Sequence, residues 1–342
     1  MTVPHKLVRR LAIAPLVAAI EAALILVSPV LLIVAVVAAP AFGGLRTVRM
    51  LFIVLIYAGR HLGATVACLG LWVASGFGRN VDSDTIQRAH YAVLRWFVEG
   101  VYRAVIGVAR VEVQVLESAR AEETIASPDR PVLVLSRHAG EGDSFLLLHQ
   151  LLCLHGRRPR VVMHEALRLD PLIDVMGERL PNRFVDPRGG DTEKEIAAVA
   201  AGLESEAAVV IFPEGGNFSA GNRERGIARL ERAGHEEQAA RARRMTNVSA
   251  PRPGGSLAAV TAAPDADVVI VGHIGFPTSL GELWRLLPAA QTVELRMWLV
   301  PAGEVPTGFE EQIDWLYEWW GTLDTWIDER RRAAAPASAA PG

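Results

Sequence analysis

An α/β fold, with a mixed sheet flanked by helices and a helical membrane hairpin in front of it, is what this sequence of 342 residues predicts. Three observations lead there. From residue 109 onward short apolar strands alternate with helical stretches, the pattern of a sheet covered on both faces. The first eighty residues are far more apolar than the rest. The mean hydropathy is +0.24 although 21% of the residues are charged, so an apolar segment is joined to an ordinary globular part.

The apolar segment begins after Lys6, Arg9 and Arg10 and is interrupted at first only by Glu21. Residues 22–45 carry no charge, and at ~1.5 Å per residue they suffice to cross a hydrocarbon layer of ~30 Å. A cleaved signal peptide would be shorter and would not be followed by a second apolar stretch. That second stretch, residues 50–77, is broken by Arg60 and His61. An arginine inside hydrocarbon costs a few kcal/mol, which predicts a helix that lies at the interface or bends back. Lys6, Arg9, Arg10 and Arg79 place both ends of a hairpin on the cytoplasmic side, against the opposing count of Arg46 and Arg49 in the connection. The expected organisation is a membrane hairpin over residues 1–80, an α/β domain over 81–332 and a disordered Ala/Pro/Ser-rich tail over 333–342. The expected location is the cell membrane, with the domain on its cytoplasmic side.

A net charge of −3 gives no reason to expect a nucleic-acid partner. Only two cysteines occur, Cys68 and Cys153, too few and too far apart for a disulfide framework or a zinc motif. No metal is expected. Within the domain, residues 82–108 read as an amphipathic helix with Ile86, Ala89, Val93, Phe97, Val101 and Val105 on one face. Strands are expected at 109–117, 131–136, 161–164, 208–212, 268–276 and 292–300, and helices at 143–154, 191–206, 223–245 and 307–332. The last helix carries Trp315, Trp319, Trp320 and Trp326, suited either to an interfacial belt or to core packing. His273 reads as a core histidine of its strand.

Three segments at strand exits carry chemistry, where open α/β sheets place their ligands. The first is residues 136–143, Ser-Arg-His-Ala-Gly-Glu-Gly-Asp, in which four residues separate His138 from Asp143. Its two glycines let the chain fold the Asp143 carboxylate back onto the imidazole. A carboxylate on Nδ1–H leaves the other ring nitrogen free to accept a proton. No serine or cysteine nucleophile is needed if the attacking oxygen belongs to the substrate. The second is residues 209–217, an apolar strand running into Pro-Glu-Gly-Gly-Asn, which sets Glu214, Gly215 and Gly216 where backbone can approach a ligand. The third is residues 182–188, with Arg183 and Arg188 beside a strand-like piece. Arginine forks suit phosphate oxygens.

Together, over residues 131–276, these segments resemble the lysophosphatidate (1-acyl-glycerol-3-phosphate) acyltransferase family. The family's Asn-His-x4-Asp motif is matched by His138 and Asp143, with Arg137 in place of the asparagine. Its Phe-x-Asp-Arg motif is matched by Phe184, Asp186 and Arg188, with Pro187 inserted. Its Phe-Pro-Glu-Gly-Thr-Arg motif is matched at 212–215, with Gly216 and Asn217 replacing the last two residues. A fourth, proline-containing motif corresponds to residues 250–255, which include Arg252.

The resemblance implies transfer of a fatty acyl group from acyl-CoA or acyl-carrier protein, as co-substrate, to the free hydroxyl of 1-acyl-glycerol-3-phosphate, giving phosphatidic acid without a cofactor. His138 is then the general base and Asp143 its orienting carboxylate. Glu214 positions the glycerol portion, Arg188 holds the phosphate, Gly215, Gly216 and Arg252 bind the substrate with them, and backbone N–H groups near Gly140, Gly142 or Gly215 face the oxyanion. Because Asn217 lacks the family's charge, Arg188, Arg223, Arg225 or Arg252 has to compensate. The charged insertion after the third motif resembles the branch that acylates larger lysophospholipids, of the lysocardiolipin or lysophosphatidylinositol type. Two rivals remain. One is a thioester hydrolase, which the absence of a Gly-x-Ser-x-Gly elbow and the apolar hairpin disfavour. The other is a catalytically silent membrane scaffold, suggested by Arg137, Gly216 and Asn217.

Overall fold

The strands are β1 (Val111–Leu116), β2 (Val132–Ser136), β3 (Arg158–His164), β4 (Arg183–Val185), β5 (Ala207–Ile211), β6 (Asp267–Ile274) and β7 (Gln291–Val300). In the computed structural model, which describes residues 3–42, 44–140, 142–186, 192–287 and 290–334, they form one sheet in the order β1-β7-β6-β2-β5-β3-β4. Strands β2 to β6 run parallel to one another, and β7 pairs antiparallel with β6 and parallel with β1. The central strands are buried along their whole length, as their unbroken Val/Leu/Ile/Ala sequences require of parallel strands covered on both sides.

Alternate residues of each strand feed two cores. Leu133, Leu135, Val209 and Ile211 pack with residues of the helices Thr192–Ala200, Pro253–Ala262 and Phe309–Ala334. Val132, Val134, Ala208 and Val210 pack on the other face with Ala121, Ile125, Leu146 and Leu151. Trp315, Trp320 and Trp326 are buried in the first core and Trp319 packs against it, so the tryptophan helix is a core element rather than an interfacial belt.

The structure departs from the sequence reading in a few places. The helix expected over 191–206 ends at Ala200, and the one expected over 223–245 is two, Ala220–Arg232 and Glu236–Arg244, broken at Gly234. Four short helices were not legible: Ala119–Ala126, Pro171–Arg179, Pro253–Ala262 and Leu280–Leu286. Each has only two or three turns, and Pro253–Ala262 opens on Pro-Gly-Gly. Packing rather than propensity sustains it. Of the tail expected over 333–342, residues 333 and 334 belong to the last helix, and residues 335–342 lie outside the described residues.

In front of the sheet stand two helices, Lys6–Ala41 and Arg46–Ala74, both long and apolar enough to cross a membrane. Leu26, Val30 and Val37 of the first are exposed. Its basic start is not free. Arg9 and Arg10 clamp the buried Asp174 at 2.9 and 2.6 Å, and Lys6 and Arg10 reach Glu178 on the same short helix, Pro171–Arg179. The second helix is unbroken through Arg60 and His61, and both turn toward the domain. The Arg60 guanidinium lies 4.3 Å over Trp96 and donates to its carbonyl, while His61 is held between Glu21 (2.7 Å) and Asp170 (3.1 Å). The residues that argued against a regular helix are those that fasten it to the sheet domain.

Candidate active site

His138 leaves β2 two residues past its end, and Asp143 opens the helix Asp143–Leu154, so the two belong to one strand-turn-helix unit. The turn between them is tight. Asp143 Oδ2 accepts the backbone N–H of Ala139 and of Gly140 (2.8 Å) and faces His138 Nδ1 at 3.3 Å. The segment following β6 lies on this turn: a Cβ at Gly140 would meet the backbone of Thr278, and one at Gly142 would meet the Phe276 ring. At Gly140 glycine is needed because two backbone segments approach closely. Glu141 lies outside the described residues.

The His138 ring stacks on Phe212 at 4.2 Å between centroids and keeps 20% of its side chain exposed. With the carboxylate at Nδ1, that nitrogen carries the proton and Nε2 is left to exchange one with a substrate. Asp143 is buried, which by itself would raise its carboxyl. The neighbouring imidazoles of His273 and His138 and the Gly140 N–H outweigh that and hold it far below the usual carboxylate range. An ionised, oriented carboxylate behind an exposed imidazole can stabilise the imidazolium that forms when Nε2 takes up a proton.

His273 is the residue that sequence reasoning passed over. Fully buried in β6, it sets Nε2 3.5 Å from Asp143 Oδ1, while its carbonyl accepts from the Arg137 guanidinium at 2.7 Å. Its one signal was its place near the C-terminal end of a strand, and strand order cannot be read from sequence. The substitution at 137 is explained by the same contacts, since a second Arg137 N–H reaches the Asn247 carbonyl at 3.1 Å. The side chain is structural and buried.

Glu214 meets the site as expected but in another role. Its Oε1 accepts the His138 N–H at 3.0 Å and its Oε2 accepts the Ser249 N–H at 2.8 Å. Both oxygens hold backbone, so the carboxylate brackets the exits of β2 and β5 rather than gripping a glycerol hydroxyl. Burial pushes its carboxyl up to about 7 against the pull of those two N–H groups. Gly215 takes φ 68°, and the Arg252 side chain lies 3.0 Å from where its Cβ would stand. The Arg252 N–H also donates to the Pro213 carbonyl. Gly216 faces open space. Arg223 is engaged with the Met245 and Arg243 carbonyls and Arg225 with Asn222, which leaves Arg252 as the arginine at this loop. Arg188, expected to hold phosphate, lies outside the described residues. Two of the expected oxyanion donors are already committed, Gly140 N–H to Asp143 and Gly215 N–H to the Phe212 carbonyl.

Residues 110–271 match the model of the family described as Acyltransferase, a span that covers β1 to most of β6 and holds His138, Asp143 and Glu214. The chain carries an acyltransferase domain. No curated protein matches the chain. The acyltransferase match fits the geometry: one partly exposed imidazole held on a buried carboxylate suits a base acting on a substrate hydroxyl.

An apolar cavity of about 180 Å³ opens beside the pair, with Phe212 and Ser144 at its catalytic end, Val161 and Val210 of the sheet beneath it, and Tyr57 and His61 of the second apolar helix across it. Elsewhere on the helix that Asp143 begins, Glu99, His149 and Cys153 bring donor atoms within 4.8 Å of one another. There Glu99 already meets His149 at 2.9 Å, and burial pushes the Cys153 thiol up to about 11, so it is protonated at neutral pH. Sequence spacing could not show this cluster, because Glu99 comes from another helix.

Proposed function

We propose that this acyltransferase moves a fatty acyl group from acyl-CoA or acyl-carrier protein to the free hydroxyl of 1-acyl-glycerol-3-phosphate, forming phosphatidic acid at the cytoplasmic face of the cell membrane. The observation that carries the reading is His138, backed by the buried Asp143 and stacked on Phe212, which lines an apolar cavity. His138 Nε2 takes the proton of the acceptor hydroxyl as its oxygen attacks the thioester carbonyl. The proton passes to the departing thiolate, the ester forms and the thioester C–S bond breaks. Asp143 holds the ring and its charge, a positioned base of this kind being worth ~10²–10⁴-fold. Gly142 N–H is the remaining one of the three expected donors to the oxyanion. Arg252 beside Gly215, and Arg188, meet the acceptor phosphate through guanidinium forks. The two apolar helices beside the sheet support a lipid surface as the place where the lysolipid acceptor meets this site.

A second reading, a larger lysophospholipid as acceptor, is favoured by the paired helices Ala220–Arg232 and Glu236–Arg244 inserted after the third motif and by the uncharged Asn217. The test is membrane-reconstituted protein given labelled acyl-CoA and a panel of lysolipids. Label in phosphatidic acid supports the first reading, and label in diacyl products of lysocardiolipin or lysophosphatidylinositol supports the second. Thiol release that needs no lysolipid would mean a hydrolase and would overturn both.

A further inference from the structure

The helix Asp143–Leu154 stands between two apolar cavities. One of its sides, with Ser144, Leu147 and Leu148, lines the cavity of about 180 Å³. Leu146 lines a second cavity, of about 410 Å³, whose catalytic end is formed by Gly142 and Phe276 and whose far wall is Met50, Ile53 and Val54 of the second apolar helix. Tyr57 and Phe145 line both and form the partition. The two chambers therefore approach the same point, the turn that carries Asp143, from opposite sides.

A reaction joining a thioester to a lysolipid brings two hydrocarbon chains to one imidazole at once. They cannot share a single narrow cavity, and water solvates neither. We infer that the second cavity holds the hydrocarbon chain already esterified on the lysolipid acceptor, while the thioester's chain fills the first. The assignment between the two follows from their walls. The first ends on Phe212, the ring stacked on His138, and has residues of β3 and of the buried strand β5 as its floor. Each has an exposed apolar rim, Leu167 at 43% in the first and Val54 at 39% with Leu280 at 65% in the second, but only the second's rim includes a residue, Val54, on a helix suited to hydrocarbon. A lipid can enter that side laterally, its tail never crossing water. This assignment rests on the acyl transfer to lysolipid proposed above.

The experiment varies chain length separately on donor and acceptor with wild-type protein, Val54→Trp and Ile106→Ala, all membrane-reconstituted. Val54→Trp narrows the second cavity. It is expected to lower kcat/KM for long-chain lysolipids about tenfold relative to short-chain ones, with the donor profile unmoved. Ile106→Ala widens the same cavity and shifts the acceptor optimum toward longer chains. If either folded variant alters the donor profile, or leaves the acceptor profile unchanged, the assignment is overturned. Should Val54→Trp fail to fold, Ile106→Ala decides alone. A wild-type protein that acylates no lysolipid would instead bring down the parent reading, and this inference with it.

Discussion

Among the histidines that sit against carboxylates, His61 and His138 have surroundings that give them opposite uses. His61 is 3% exposed, and both ring nitrogens are engaged, one by Glu21 of the first apolar helix and the other by Asp170 of the sheet domain. His138 has one nitrogen on Asp143 and a fifth of its side chain exposed beside Phe212, which lines a cavity. The first imidazole is a fastener that supplies polar partners to two carboxylates in apolar surroundings. The second has a nitrogen left over, and chemistry needs that. A histidine–carboxylate pair is thus no mark of catalysis until both nitrogens are accounted for.

The comparison is broken most directly at His138. His138→Ala should lower acyl transfer by ~10²–10⁴-fold with an unchanged thermal midpoint. Retention of most activity in the purified variant would refute the assignment. His273→Ala tests whether the buried imidazole behind Asp143 positions it. We expect kcat to fall on the order of tenfold to a hundredfold with KM for both substrates little changed, since a carboxylate freed to tilt misplaces the base without touching the ligands. A fall in stability with kcat intact would make His273 merely structural.

Arg252→Ala should raise the acceptor's KM about tenfold and leave the donor's KM alone, as loss of a phosphate contact made equally in ground and transition states does. The contrast at His61 runs through stability instead. His61→Ala removes the shared partner of Glu21 and Asp170 and should cost about 1–3 kcal/mol of stability, read by thermal or denaturant unfolding. A His61→Ala variant as inactive as His138→Ala but equally stable would erase the distinction between the two sites. The smallest effect is on pH. Asp143 is held below the usual range as described. For Asp170, burial raises the carboxyl, but the His61 contact and the Ile173 N–H outweigh it. Both are more acidic folded than unfolded, so the stability they confer is present above pH ~4 and is lost as pH falls through their folded values. Asp143→Asn should flatten that acid slope in pH-resolved unfolding, and an unaltered slope would argue against an ionised, stabilising Asp143.

Much of the site was legible because its parts are local. His138 and Asp143 share one turn, and its length and two glycines bring the carboxylate back to the ring. The strand exits at 136 and 211 were visible as ends of unbroken apolar runs. The roles of Glu214, Arg137 and His273 were not, because each is set by a partner more than thirty residues away. Glu214 spans to Ser249, Arg137 reaches His273 and Asn247, and His273 faces Asp143 across neighbouring strands. The same holds for Lys6, Arg9 and Arg10, whose charges suggest orientation in a membrane but whose side chains pair with Asp174 and Glu178.

The sequence alone determined the α/β architecture, the two apolar helices and the unit that aims one carboxylate at one imidazole, since periodicity, length and turn chemistry act over a few residues. Only the tertiary structure decided which polar groups are consumed in holding strands and helices together and which are left free, and that one helix parts two apolar chambers. Those outcomes depend on strand order and on burial, where a carboxylate or a cation takes whichever partner the fold brings within reach rather than one its neighbours in sequence specify.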